Sequence, residues 1–334
     1  MIKKVEYHNI NQAKRIIRAV PIIMASFCIA LPVNAQDAQQ EEDGIVRIAP
    51  LFEYTVAPEE LPDLQSKSDY VVSHFWDQMD FNAGKAVDQN ALNDAFNVYS
   101  SALPYASRTA ALGSLNSLVK KLKGNPTLLL QFTKAAEEHL YGPRASMWSD
   151  EAYIPFLEAI ISEKKLPDTR KSRYAMQLET IRRCSIGKKF PEIRITGRNG
   201  RQKDYKPEKD YTLILFGNPE CDDCRFSKTK LSMASDLEEL VEEGKLEIMF
   251  IVADAMPEDQ PELLEQFATY PAIWTPCISY GADDIFDIRA TPSFYVIGKK
   301  GEILAKNIDV SQAIDKIRDL VEADAQKNNK KQKK

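Results

Sequence analysis

The chain has 334 residues, 44 Lys and Arg against 49 Asp and Glu, and a formal net charge of −5 at pH 7. With 44% hydrophobic and 28% charged residues, it has the composition of a globular protein long enough for two separate cores. Its acidic balance excludes an obvious nucleic-acid binder.

Residues 1–35 open with Lys3, Lys4, Lys14, Arg15 and Arg18 and run into an apolar stretch, 19–33, broken by Pro21 and Pro32. Val33, Asn34 and Ala35 make a small-x-small cleavage pattern, and a polar, acidic run over 36–43 follows it. This is the pattern of a secretory signal peptide that ends at Ala35. The apolar run is shorter than the roughly 20 residues that span a bilayer, and the bulky Phe27 before Cys28 does not suit a lipoprotein cleavage site. The expectation is export, cleavage and a soluble mature chain. Residues 36–64 read as a linker.

Residues 65–183 read as helical throughout. Apolar residues recur at helical spacing over 69–79, 88–103, 106–122, 126–141, 149–161 and 167–183, separated by the breakers Gly84, Pro104, Gly124 to Pro126, Gly142-Pro143 and Pro167. Ser149 followed by Asp150 and Glu151 is a good N-cap with acidic residues in the first turn, and Pro126 suits a first helical position. Short connections between amphipathic helices predict a compact all-α bundle. Tyr141, Trp148 and Tyr153 read as core packing, with a peptide-binding groove as the alternative.

Residues 184–325 change character. The apolar run 211–217 precedes Cys221-Asp222-Asp223-Cys224, which opens a helix. A cysteine at a helix N-terminus meets free backbone N–H groups and the positive end of the dipole, both of which favour a thiolate. A lone C-x-x-C fits a redox pair, half of a zinc site or a structural disulfide. Thr291-Pro292 stands directly before a second apolar strand, 293–298, which leads through the turn Lys299-Lys300-Gly301 into a short strand, 302–305.

This combination resembles the thioredoxin-like fold, and more narrowly the TlpA/ResA-type envelope thiol-disulfide oxidoreductases. Segment 185–195 resembles the entry strand of that family. The stretch 139–155 resembles a helical domain of unassigned function that precedes thioredoxin-like domains in some Gram-negative envelope proteins. The fold expectation is α+β with two domains: an N-terminal all-α bundle, then an α/β sandwich with a central mixed sheet flanked by helices. The resemblance implies that Cys221 attacks a protein or peptide disulfide, that Cys224 resolves the mixed disulfide, and that Thr291 and a cis Pro292 hold the substrate backbone. The leader argues for the periplasm or cell envelope of a Gram-negative bacterium, and a reductant working there needs electrons from a membrane electron-transfer partner. No cofactor and no metal are expected.

The sequence departs from the family in several places. Glu220 stands where thioredoxins have tryptophan, Leu215 replaces a buried acid, and Ser227 stands where the TlpA/ResA branch often has glutamate. Glu220, Asp222 and Asp223 are the nearest carboxylates in sequence to move a proton. Asp222 and Asp223 oppose the helix dipole, which disfavours the reduced pair and predicts a reductant. Cys184 and Cys277 read as buried small apolar residues; the sharper alternatives are a third thiol near the pair or a second disulfide. Two other functions are open: an envelope binding module in which the helical domain captures a peptide beside a residual redox site, and a peroxiredoxin, against which Asn218 occupies the position of that family's threonine. The basic stretch 326–334 reads as a disordered tail.

Overall fold

The computed structural model describes residues 49–81 and 85–332; the leader and its cleavage site lie outside the described residues. The helical part is built from α1 (Leu64–His74), α2 (Gln89–Ala102), α3 (Arg108–Leu122), α4 (Pro126–Leu140), α5 (Asp150–Ser162) and α6 (Asp168–Arg183). Side chains close the exposed N–H groups at most of their starts. Asp63 accepts from Ser66 N at 2.7 Å, Asp88 from Ala91 N at 2.8 Å, and Ser107, Asn125 and Ser149 from the third residue beyond each at 3.2 Å. Phe75, Trp76, Phe96, Tyr99, Phe132 and Phe156 fill the space between the helices, mostly edge to face. Phe75, Trp76 and Met79, which the sequence pattern assigns to a helix, are buried from turns beyond α1.

The remainder holds β1 (Ile193–Gly197), β2 (Gln202–Tyr205), β3 (Tyr211–Phe216), α7 (Asp222–Ser232), α8 (Ser235–Glu242), β4 (Leu246–Val252), α9 (Gln260–Phe267), β5 (Thr275–Ile278), α10 (Ala282–Ile285), β6 (Ser293–Gly298), β7 (Ile303–Ile308) and α11 (Val310–Gln332). Its strands form one mixed sheet in the order β2-β1-β5-β4-β3-β6-β7, with β3, β4 and β5 parallel and the other pairs antiparallel. Successive side chains of β3 and β4 point to opposite faces. Leu213, Leu215, Ile248 and Phe250 pack with Leu231, Leu237, Phe267 and Ile314 on one face. Ile214, Phe216, Met249 and Ile251 pack with Phe286, Tyr295, Cys184 and Cys277 on the other. Both faces are covered, so these strands are continuous apolar runs rather than alternating ones.

One register fixes the location of the loops. β3 and β6 are antiparallel with Phe216 opposite Ser293. The chain leaving β3 toward Cys221 and the chain entering β6 through Pro292 therefore meet at one edge of the sheet.

α11 differs from expectation, because it continues to Gln332 through most of the stretch read as a disordered tail. Val310, Ala313, Ile314 and Ile317 dock its first turns on the sheet. Beyond them, Gln326 to Glu322 at 3.0 Å and Lys327 to Asp324 at 3.1 Å are one-turn pairs that favour continuing the helix.

Candidate active site

Gly217 follows β3 and lets the backbone approach the pair closely. A Cβ there would lie 2.9 Å from Phe250 Cε2 and 3.1 Å from Cys224 Sγ, closer than side chains pack. The chain then turns at Asn218, whose Oδ1 accepts from Glu220 N at 2.9 Å and whose carbonyl accepts from Cys221 N at 3.1 Å. Cys221 is the N-cap residue of α7, and its sulfur accepts from Cys224 N at 3.2 Å. It thus takes the place that Ser or Asp usually holds at a helix start.

The two thiols differ in exposure. Cys221 is half-buried at the surface, whereas Cys224, one turn into α7, is fully buried. Burial pushes the Cys224 thiol well above its ordinary value, and the neighbouring Cys221 adds to this; the backbone at Asn218 and the charge of Lys228 act in the opposite direction. Cys221 Sγ lies 3.8 Å from the Thr291 carbonyl oxygen. The Thr291–Pro292 peptide bond is cis. The structure therefore brings together Cys221, Cys224, Thr291 and the adjoining Pro292.

The candidate bases do not all behave alike. Asp222 pairs with Arg225 in the first turn of α7, and Glu220 Oε1 takes a 3.5 Å contact from Gln266 Nε2. Asp223 is exposed and has no ion-pair partner among the described residues. None of the three is buried with Cys224. Lys228, one turn further along α7 on the same face, is half-buried, with Nζ donating to Tyr270 OH at 2.9 Å. That ammonium lies 4.2 Å from the Tyr270 ring centroid and 5.4 Å from that of Phe250. Burial lowers the Lys228 pKa, while the sulfurs of Cys224 and Cys221 oppose the shift. Sequence reasoning missed this residue, although its spacing of four from Cys224 was a usable signal. Tyr270 gave none.

Cys184 and Cys277 lie in the core on the sheet face opposite α7, both fully buried. Cys184 Sγ contacts the Ile285 carbonyl at 3.6 Å, and burial raises both thiols above the ordinary range. The four described cysteines are unpaired thiols.

Residues 31–184 match a family described as a domain of unknown function, DUF5106. A thioredoxin-like protein from Bacteroides caccae superposes with a TM-score of 0.66 at 22% identity, over 81% of this chain and 99% of that one. The strand-bearing part has the thioredoxin-like fold. Two further solved structures are similar over about two fifths of this chain. A conserved Bacteroides fragilis protein of unknown function matches at 24% identity, TM-score 0.36, over 40% of this chain and 98% of its own. The thioredoxin domain of a thiol-disulfide oxidoreductase from Bacteroides vulgatus matches at 19%, TM-score 0.33, over 41% and 98%. No curated protein sequence matches the chain. The thioredoxin-like part thus follows an all-α bundle, and no helix among the described residues is long and apolar enough to cross a membrane.

Proposed function

We propose that this protein is an exported thiol-disulfide oxidoreductase that reduces protein disulfides through Cys221 and Cys224. The observation that carries this reading is the asymmetry of the pair: an accessible sulfur caps α7 beside Thr291, and a buried thiol stands one turn behind it. The Cys221 thiolate attacks one sulfur of the substrate disulfide, forming a mixed disulfide and releasing the other sulfur as a thiolate. Cys224 gives up its proton and attacks Cys221 Sγ. The second substrate thiolate leaves, and the two electrons delivered to the substrate remain balanced by a Cys221–Cys224 disulfide.

Asp223 supports the reducing direction, since an unpaired negative charge in the first turn of α7 disfavours the thiolate form. Asp222 contributes less than the sequence suggested, because Arg225 offsets it. A protein working this way needs electrons from a membrane partner, and the leader read over residues 1–35 supports the envelope as its location. Thr291 and Pro292 would align the substrate backbone in the manner of strand addition.

The test is trapping. Cys224→Ser expressed in its host should accumulate mixed disulfides on a non-reducing gel, and Cys221→Ser should accumulate none. Equal trapping by both variants, together with no insulin reduction by the unaltered protein, would favour a binding module instead.

A further inference from the structure

The segment 286–292 that leads into Pro292 has no repeating backbone structure, so its position depends on side chains. Asp287, fully buried, does most of the holding. Its carboxylate accepts from Arg289 Nε at 3.2 Å, Arg289 Nη2 at 2.8 Å, Asn307 Nδ2 at 3.1 Å and Lys306 Nζ, and its carbonyl accepts from Tyr295 OH at 2.9 Å. Arg289 and Lys306 are themselves 2% and 5% exposed. One carboxylate against two buried cations would leave a positive charge unmatched, which a low-dielectric interior tolerates badly.

The fourth charge comes from the helical domain. Asp150, the first residue of α5, pairs with Arg289 and takes Lys306 Nζ at 2.9 Å. The Arg289 guanidinium also lies over the ring of Tyr141, 4.6 Å from its centroid, just beyond α4. On the other side of the proline, Asn307 Oδ1 accepts from Ser293 Oγ at 2.8 Å, and Ser293 directly follows Pro292. A continuous set of contacts therefore runs from the helical domain to both flanks of Thr291-Pro292.

We propose that Asp150, with Tyr141, is a positioning residue that sets the Thr291–Pro292 loop from the helical domain. A buried ionic cluster adds little stability over apolar packing of the same volume, but its directed hydrogen bonds fix geometry. Here that geometry belongs to the loop beside Cys221. The helical domain thereby acquires a task in substrate alignment, an inference that rests on the redox reading for its functional half and on the contacts alone for its structural half.

The experiment compares full-length mature protein with Asp150→Asn and Asp150→Glu, using hydrogen exchange of the amides in 288–293 and insulin reduction at varied substrate concentration. Asp150→Asn should speed exchange in that segment and raise KM for insulin, each by about fivefold or more, the scale of coupling through such networks. Asp150→Glu should recover most of both. If Asp150→Asn does not fold, Tyr141→Leu at the rim of the cluster should show the same two changes in weaker form. Unchanged exchange in 288–293 in a folded variant overturns the proposal. So does unchanged KM with active wild type, or an effect on kcat alone. A wild type that reduces no insulin refutes the redox reading, while the exchange measurement still decides whether Asp150 holds the loop.

Discussion

Gly217→Ala tests the closest backbone approach in the candidate site. The added methyl would sit 2.9 and 3.1 Å from Cε2 and Cζ of Phe250, and 3.1 Å from Cys224 Sγ. Phe250 is 1% exposed and packed between Tyr270 and the rest of the core, so its ring cannot swing aside freely. Neither relaxation is cheap: moving the ring overpacks the core, and moving the sulfur displaces the thiol proposed to resolve the mixed disulfide. Overpacking of this kind costs about 1 to 3 kcal/mol, which in a chain of this size lowers the melting temperature by about 2 to 5 °C. The second expected effect is kinetic. If part of the strain is relieved by shifting Cys224, its attack on the mixed disulfide slows, and that intermediate outlives the one formed by the unaltered protein in a quenched, alkylated time course. Thermal melts followed by circular dichroism give the stability. Gly217→Ala/Phe250→Leu, which removes the contacting ring atoms, should recover part of the loss. A Gly217→Ala protein that melts within 1 °C of wild type and resolves at the same rate would refute the packing argument.

Further outcomes follow from the same geometry. Lys228→Met removes the cation half-buried beside Cys224, so the resolving step should slow by about tenfold, the equivalent of one pKa unit, with the initial attack by Cys221 little altered; an equal loss in both steps would contradict this. Asp223→Asn should make the couple more oxidising by about 10 to 20 mV, the reach of one charge at a helix terminus. Equilibration with glutathione buffers measures it, and a shift to more negative potential would reverse the electrostatic reasoning. The mature protein should begin at Gln36, which intact mass of envelope-extracted material checks; full-length chain in the membrane fraction would count against the leader reading.

The helices of the bundle were legible because each joins a periodic apolar stripe to a breaker, as Gly124 and Pro126 do around the start of α4. Where apolar residues are buried from turns, as with Phe75, Trp76 and Met79, the same stripe overextended the element. The two loops of the site were legible for a local reason: Cys221 and Pro292 each adjoin an unbroken apolar strand. What escaped notice was assembled from distant segments. Lys228 and Tyr270 meet only because β4 and α9 intervene and return, and Asp150 meets Lys306 only through the packing of the bundle on the sheet. Isolated charges in a sequence usually mark solvated positions, and nothing in the residues around Asp287 or Arg289 distinguishes them from such charges.

Cys184 ends α6 and is at the same time a fully buried member of the core beneath the sheet, while its neighbour Arg183 donates to the carbonyls of Asp284 and Ile285 at 3.4 and 3.3 Å. The border between the two parts is therefore a shared residue rather than a tether. A fragment that starts after position 184 would lose a plug from its own interior, leaving a gap beside Tyr295 and Phe286, and a fragment that stops there would carry a bare apolar end. Cutting the chain at this border is therefore expected to lower the stability of both pieces, and the bundle and the sheet are expected to unfold together.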